Sequence, residues 1–296
     1  METLQATRRS FRGAHGNLLA GDAYGDPAAL PVLLLHGGGQ TRHAWGATAR
    51  TLANDGFHTI ALDLRGHGES DWAPDGRYVA AHYIEDVDRV VRSFARPPVV
   101  VGASLGGMIA LALEGAERPG ATAGIVLVDV AHDAREDGIA RIVDFMVAGT
   151  AGFASLGDAA DAISGYLSHR KRPASLEGLR KNLRLRDDGR WYWHWDPRML
   201  QTGDIGERRR TGYFERAARG VDVPVLLVRG RDSDVVDEAI ARELRALVPQ
   251  ASYVDVAGAQ HMVAGDENDA FTTAVRAFCR EVAAGTAPRR SAPSPS

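Results

Sequence analysis

The sequence contains a single cysteine in 296 residues, so no internal disulfide can staple it. That leaves hydrophobic burial to stabilise the fold and fits a reducing compartment. Cys279 sits in a helical pattern near the C-terminus, where a thiol packs as a small apolar side chain more readily than it reacts. No run of about 18 apolar residues occurs, and the charged N-terminal stretch is not followed by the apolar segment of an export signal. A cytoplasmic protein that neither spans nor enters a membrane is therefore expected. Basic excess is missing too: 35 Lys and Arg face 38 Asp and Glu, a formal charge of −3, which provides no footprint for nucleic-acid phosphates. Paired C-x-x-C, H-E-x-x-H and a Walker Gly-Lys-Ser/Thr are absent, so no metal or other cofactor is expected.

What is present is alternation. Short runs rich in Val, Ile and Leu, each bounded by Gly, Pro or Asp, lie at 31–35, 58–62, 98–101, 124–130, 223–228 and 252–256. They are too short for helices and too evenly apolar for half-exposed strands, so they read as strands covered on both faces. Segments with helical spacing fall between most of them, at 83–94, 106–114 and 238–247. The pattern predicts an α/β fold with a mostly parallel sheet flanked by helices.

The alternation breaks once. About 90 residues separate residue 130 from the next strand at 223, far more than an αβ connection needs. Residues 132–222 are therefore assigned to a mainly helical cap, with helical patterns at 139–146 and 176–185. Residues 1–131 and 223–284 form the core, and the Ala-, Pro- and Ser-rich end at 285–296 is a loose tail.

After the strand at 98–101 comes Gly102-Ala103-Ser104-Leu105-Gly106-Gly107, followed by a helical run. Gly-x-Ser-x-Gly at a strand-to-helix junction is the pattern of a nucleophile elbow, in which small residues permit a turn sharp enough to lift the Ser hydroxyl out of the sheet. The first clear strand ends in His36-Gly37-Gly38-Gly39, where a glycine run lets a backbone amide approach a substrate oxygen. With these two motifs, and with Asp63-Leu64-Arg65-Gly66-His67-Gly68-Glu69-Ser70 after the second strand, the chain resembles the α/β-hydrolase superfamily, in its capped serine-esterase-like branch. The third motif reads as scaffold, with Asp63 and Arg65 able to pair and fix the loop.

That resemblance implies a catalytic triad in the order nucleophile, acid, His, with Ser104 first. The loop after the last strand carries Gln260-His261-Met262, making His261 the base. The loop after the strand at 223–228 offers Asp232 and Asp234; Asp234, before Val235-Val236, matches the familiar pattern best and is the expected acid, with Asp232 and then Asp129 as alternatives. Leu105 and Gly38 would supply the oxyanion-hole amides, Gly37 and Gly39 being alternatives for the second. Trp191, Trp193 and Trp195 alternate within five positions, either as the cap's own core or as a pocket wall. Gly39, Phe145, Met146, Trp193 and Met262 are candidates for the substrate pocket.

The implied activity is hydrolysis of a small, largely uncharged carboxylic ester through an acyl-enzyme. A Ser nucleophile argues against the Asp-based relatives that open epoxides or remove halogens. A lactonase with the same triad is the second reading, C–C bond hydrolases and perhydrolases share the residues, and a non-catalytic ligand receptor is the reading from another class. The expected partner is a small-molecule ester or lactone, and the sequence sets no oligomeric state.

Overall fold

The computed structural model describes residues 4–166, 176–257 and 269–290. Eight strands form one sheet in the order β1-β2-β4-β3-β5-β6-β9-β10: β1 (Thr7–Arg12), β2 (Leu18–Tyr24), β3 (Pro31–Leu35), β4 (His58–Leu62), β5 (Val99–Ala103), β6 (Gly124–Val128), β9 (Val225–Gly230) and β10 (Ser252–Val256). Strand β2 is antiparallel to both its neighbours, and β4, β3, β5, β6, β9 and β10 run parallel. The six apolar runs in the sequence are those six strands. The N-terminal antiparallel pair, polar on β1 and lacking an apolar run, was not legible beforehand.

The uniform hydrophobicity of the central strands follows from their period of two. Leu33, Leu35, Val100, Ile125, Leu127, Val225 and Leu227 point to one core layer, and Val32, Leu34, Val99, Val101, Val126, Val128, Leu226 and Val228 to the other. The second layer is closed by α1 (Gly46–Asn54) and α9 (Asp269–Ala284), through residues such as Leu52, Val275 and Phe278. The first is closed by α2 (Ala80–Arg92), α3 (Leu105–Ala112), α7 (Tyr213–Arg219) and α8 (Glu238–Leu247). Cys279 lies in the α1–α9 layer with no exposure, and burial pushes its thiol up to about 12, so it is an inert packing group.

The insertion between β6 and β9 begins with α4 (Glu136–Ala148) and α5 (Leu156–Tyr166), continues through an antiparallel hairpin of β7 (Leu183–Leu185) and β8 (Trp191–Trp193), and ends with α6 (Asp204–Arg210) and α7. The expected helix at 176–185 is instead one 3₁₀ turn, Glu177–Lys181, followed by strand β7. A tight turn at 186–189 and the extended Trp-rich segment make a hairpin the better partner for Leu183 and Leu185. The expected cap, 132–222, packs in two places. Phe214, Ala217 and Ala218 of α7 join the main core beside α3, while Met146, Ala159, Leu183, Trp193 and Trp195 form a separate small core in the cap.

Two glycines explain how α7 docks. A Cβ on Gly115, in the π-helical turn Leu113–Glu117 that ends α3, would stand 1.9 Å from the Ala217 carbonyl oxygen, and one on Gly220 would stand 2.1 Å from the Gly115 oxygen. Gly115→Ala is therefore expected to lower stability by about 1–3 kcal/mol through overpacking against backbone, read as the urea midpoint. An unchanged midpoint would mean that α7 is not part of the core.

Candidate active site

Ser104 occupies the junction between β5 and α3 with φ 46° and ψ −113°, a conformation an L-residue adopts only where its surroundings impose it, at about 1–3 kcal/mol. Close approach on both sides does so. A Cβ on Gly102 would lie 2.4 Å from backbone atoms of Gly106 and Gly107, and one on Gly106 would lie 2.5 Å from the Leu35 oxygen. These are the positions the elbow motif fills with glycine, and the missing methyls let α3 start directly over the ends of β5 and β3. The Ser104 N–H donates to Val128 O at 3.2 Å, while its carbonyl accepts from Gly107 and Met108 at 3.0 Å. The Leu105 N–H, at the first position of α3, has no acceptor among the described residues, and the helix N-terminus adds partial positive charge beside the Ser hydroxyl.

The glycine loop after β3 lies against this turn: a Cβ on Gly37 would be 3.3 Å from Ser104 Cβ. Its amides are unequally employed. The Gly37 N–H donates to Gln40 Oε1 at 2.9 Å, and the Gly39 N–H donates to His67 Nε2 at 3.1 Å. Gly38 N–H has no acceptor among the described residues, and the space where its Cβ would stand is open to 4 Å. Of the three candidate amides, Gly38 is the one left available.

The acid candidates separate by position. Asp129 follows β6 directly, next to the Val128 carbonyl that receives the Ser104 amide. It is fully buried, with φ 47°. Its carboxylate accepts from Gly230 N at 3.0 Å and from Ser233 Oγ at 2.6 Å. Asp234 turns the other way, its Oδ2 2.7 Å from Arg141 Nη2 on α4, and its backbone carbonyl is packed against Gly138 of the same helix. Asp232 is exposed. The loop after β9 thus sends Ser233, between the two expected carboxylates, towards Asp129. Of the three, Asp129 is the one buried next to the strand end that holds Ser104; a sequence pattern sees the order of acids along a loop and not which strand end faces the elbow. His261 and Met262 lie outside the described residues.

Above the glycine loop, Met146 Cε and Sδ come within 3.3 and 3.7 Å of where a Gly39 Cβ would be, and Trp195 Nε1 within 3.7 Å. Met146 and Gly39 thus meet, joined by Trp195, one of the three alternating tryptophans. Trp193 is turned into the cap's own core, its ring centroid 5.8 Å from Phe145 and 5.2 Å from Phe153. Phe145 stacks on Tyr166 at 4.4 Å.

The third motif is scaffold, but with different pairs from those expected. Asp63 accepts from Arg42 N at 2.7 Å and is ion-paired to the Arg42 guanidinium, and Arg65 grips Asp86 at 2.7 and 2.8 Å. Asp63 and Arg65 are thus each engaged by a residue outside the motif and not by one another. Gly68 is required here because a Cβ would fall 2.1 Å from Asp63 Oδ2. Three buried imidazoles, His36, His67 and His194, surround the glycine loop. Burial lowers all of them below the ordinary imidazole range, His67 well below and His194 to about 3. Among the described residues, no group of three or more His, Cys, Asp or Glu is placed to hold a metal ion.

Neutral imidazoles that cannot protonate in place make folding sensitive to acid. As pH falls below the ordinary value of 6.5, the unfolded chain takes up protons that the folded chain excludes. Each imidazole then lowers stability by about 1.4 kcal/mol per pH unit. Urea midpoints measured from about pH 7 to about pH 5 are expected to fall steeply, and His194→Gln to reduce the slope by one proton. An unaltered slope would show that His194 is charged in the folded protein.

Comparison with known proteins agrees with this geometry. A family model for the alpha/beta hydrolase fold matches residues 31–267. An esterase of Mycobacterium tuberculosis is 31% identical over 223 residues, 73% of this chain and 71% of the relative. The 2-(acetamidomethylene)succinate hydrolase of Mesorhizobium japonicum is 29% identical over 215 residues, 71% of this chain and 74% of that one. Among solved structures, an E-2-(acetamidomethylene)succinate hydrolase superposes with a TM-score of 0.82 at 24% identity, covering 93% of this chain and all of the other. A structure of the M. tuberculosis esterase superposes with a TM-score of 0.76 at 28% identity, covering 95% of this chain and 93% of that one. No helix among the described residues is long and apolar enough to cross a membrane. The chain belongs to the alpha/beta hydrolase fold family, resembles that family's esterases, and is a hydrolase.

Proposed function

We propose that this hydrolase cleaves small carboxylic esters by acyl transfer through Ser104. The observation that carries the reading is the meeting, at one strand end, of a serine held at positive φ with two unengaged backbone N–H groups, Leu105 and Gly38. Backbone donors fixed before substrate arrives stabilise a developing oxyanion without reorganising.

In the first half-reaction the Ser104 oxygen adds to the ester carbonyl carbon while His261 takes the hydroxyl proton, and the carbonyl electron pair becomes the oxyanion held by Gly38 and Leu105. Collapse breaks the bond to the alcohol oxygen, which leaves with the proton from His261, and the acyl group stays on Ser104. Water repeats the sequence: it gives a proton to His261, adds to the acyl carbon, and Ser104 departs reprotonated. Net change is ester plus water to acid plus alcohol. Asp129 is the carboxylate we assign to orient His261 and to stabilise its charged form, since it is buried beside the elbow while Asp234 is engaged by Arg141. Met146 and Trp195 over Gly39 supply an apolar wall for the acyl group, in keeping with an uncharged substrate.

Turnover of p-nitrophenyl acetate and butyrate tests this. Ser104→Ala is expected to abolish it and Asp129→Asn to lower kcat by about 10³- to 10⁴-fold, whereas Asp234→Asn changes it by less than about tenfold. The opposite ranking of the two Asn variants returns the acid to Asp234. Ligand binding with no turnover by the unmodified protein would favour a receptor, and preference for cyclic over open-chain esters a lactonase.

A further inference from the structure

An oxyanion hole built from a glycine loop has a difficulty: glycine has no side chain to anchor it and the widest choice of backbone conformations. The loop at 37–39 must nevertheless present one N–H towards Ser104. Its consecutive peptide planes are held by three imidazoles from three separate parts of the chain.

His36 Nε2 accepts from Leu64 N–H at 3.0 Å, so its proton lies on Nδ1, which donates to Gly37 O at 2.8 Å. The same oxygen accepts from Gln40 N–H at 3.1 Å. Because a trans peptide is planar, fixing the Gly37 carbonyl on one side fixes the Gly38 N–H on the other. His67 Nδ1 lies 2.9 Å from Arg65 O, which can only accept, so Nδ1 carries the proton and Nε2 takes the Gly39 N–H at 3.1 Å. His194 accepts the Gly68 N–H on Nδ1 at 2.6 Å, leaving Nε2–H to face Gly39 O at 3.3 Å. The three residues are almost wholly buried, at 0%, 0% and 2% exposure, so water does not compete for these bonds.

His194 comes from the cap, immediately after β8. Its segment is docked on the core loop by Asp196 N to Gly66 O at 2.9 Å, Tyr78 OH to Asp196 Oδ2 at 2.6 Å, and Arg184 to Gly68 O. We propose that His67 and His194 are positioning residues for the oxyanion hole, and that through His194 the docked cap holds the Gly39–Gln40 peptide, whose Gln40 N–H bonds the Gly37 carbonyl and so helps set the direction of the Gly38 N–H. This rests on the acyl-transfer reading above. Neither residue touches substrate; each acts through the loop, and a cap displaced from residues 66–68 would release one of the three planes.

The test exploits which ring nitrogen matters. Gln places a polar atom where Nε2 stands, the nitrogen facing Gly39 in both residues, whereas Asn reaches only the Nδ1 position. Gln and Asn variants at positions 67 and 194 would be assayed on p-nitrophenyl acetate, with inhibition by an alkyl trifluoromethyl ketone, whose adduct with Ser104 places an oxyanion in the hole. Expected are a fall in kcat of about 10- to 100-fold in the Asn variants, little change in KM, clear recovery in the Gln variants, and a Ki that rises in parallel with the fall in kcat/KM.

Equal activity of the Asn and Gln variants, or a fall in kcat with Ki unchanged, would overturn the proposal, since a general structural role does not choose between ring positions. Should an Asn variant fail to fold, the Gln variants carry the same correlation, and a kcat/KM loss without a matching Ki would count against the clamp. Turnover by the unmodified protein that survives in Ser104→Ala would instead sink the acyl-transfer reading, separately from any ranking of the histidine variants.

Discussion

The close approach of α3 to the ends of β5 and β3 is the constraint on which the site depends. It exists only because Gly102 and Gly106 carry no Cβ, and either methyl would meet backbone at 2.4–2.5 Å, well inside van der Waals contact. Once the helix starts there, the chain between strand and helix has one way round, and Ser104 takes it at positive φ. The energy stored in that residue is supplied by burial elsewhere: two core layers of Val, Ile and Leu clamp the parallel strands from both faces, and the turn cannot relax without shifting them.

Around this point the side chains that contact the glycine loop are uncharged. The groups that hold residues 37–39 are neutral imidazoles, and the ionic pairs that brace the surrounding scaffold, Arg42 with Asp63 and Arg65 with Asp86, lie to either side. Neutral donors and acceptors define a direction for an N–H without adding a carboxylate field that would oppose an oxyanion. The cap contributes to this arrangement as well as covering it. Its Trp-rich hairpin spends Trp193 on its own core and Trp195 above Gly39, and the residue between them, His194, reaches down to the core loops.

The layered sheet, the long insertion and the elbow were legible because each is written locally. A period of two with both faces apolar needs no knowledge of neighbours, and Gly-x-Ser-x-Gly reports a backbone conformation through the side chains it forbids. The carboxylate beside the elbow was less legible. Asp129 and Asp234 both follow strands, and the difference lies in which carboxylate is buried beside the elbow and which meets Arg141 on a helix about 90 residues upstream. The pairing expected between Asp63 and Arg65 gives way for the same reason: each finds a buried partner from elsewhere in the chain, Asp63 in Arg42 and Arg65 in Asp86 of α2.

Sequence by itself determined the fold class, the serine at the strand-to-helix turn and the glycine loop, since strand periodicity and steric exclusion of Cβ are properties of short segments. Tertiary structure decided which amide of that loop is free, which carboxylate sits beside the elbow, where the cap's core ends and α7 begins, and that His67 and His194 converge on Gly39. These depend on hydrogen bonds and contacts between segments up to 155 positions apart. No local pattern encodes such distances, because burial and direction are fixed only when the sheet brings the strand ends together.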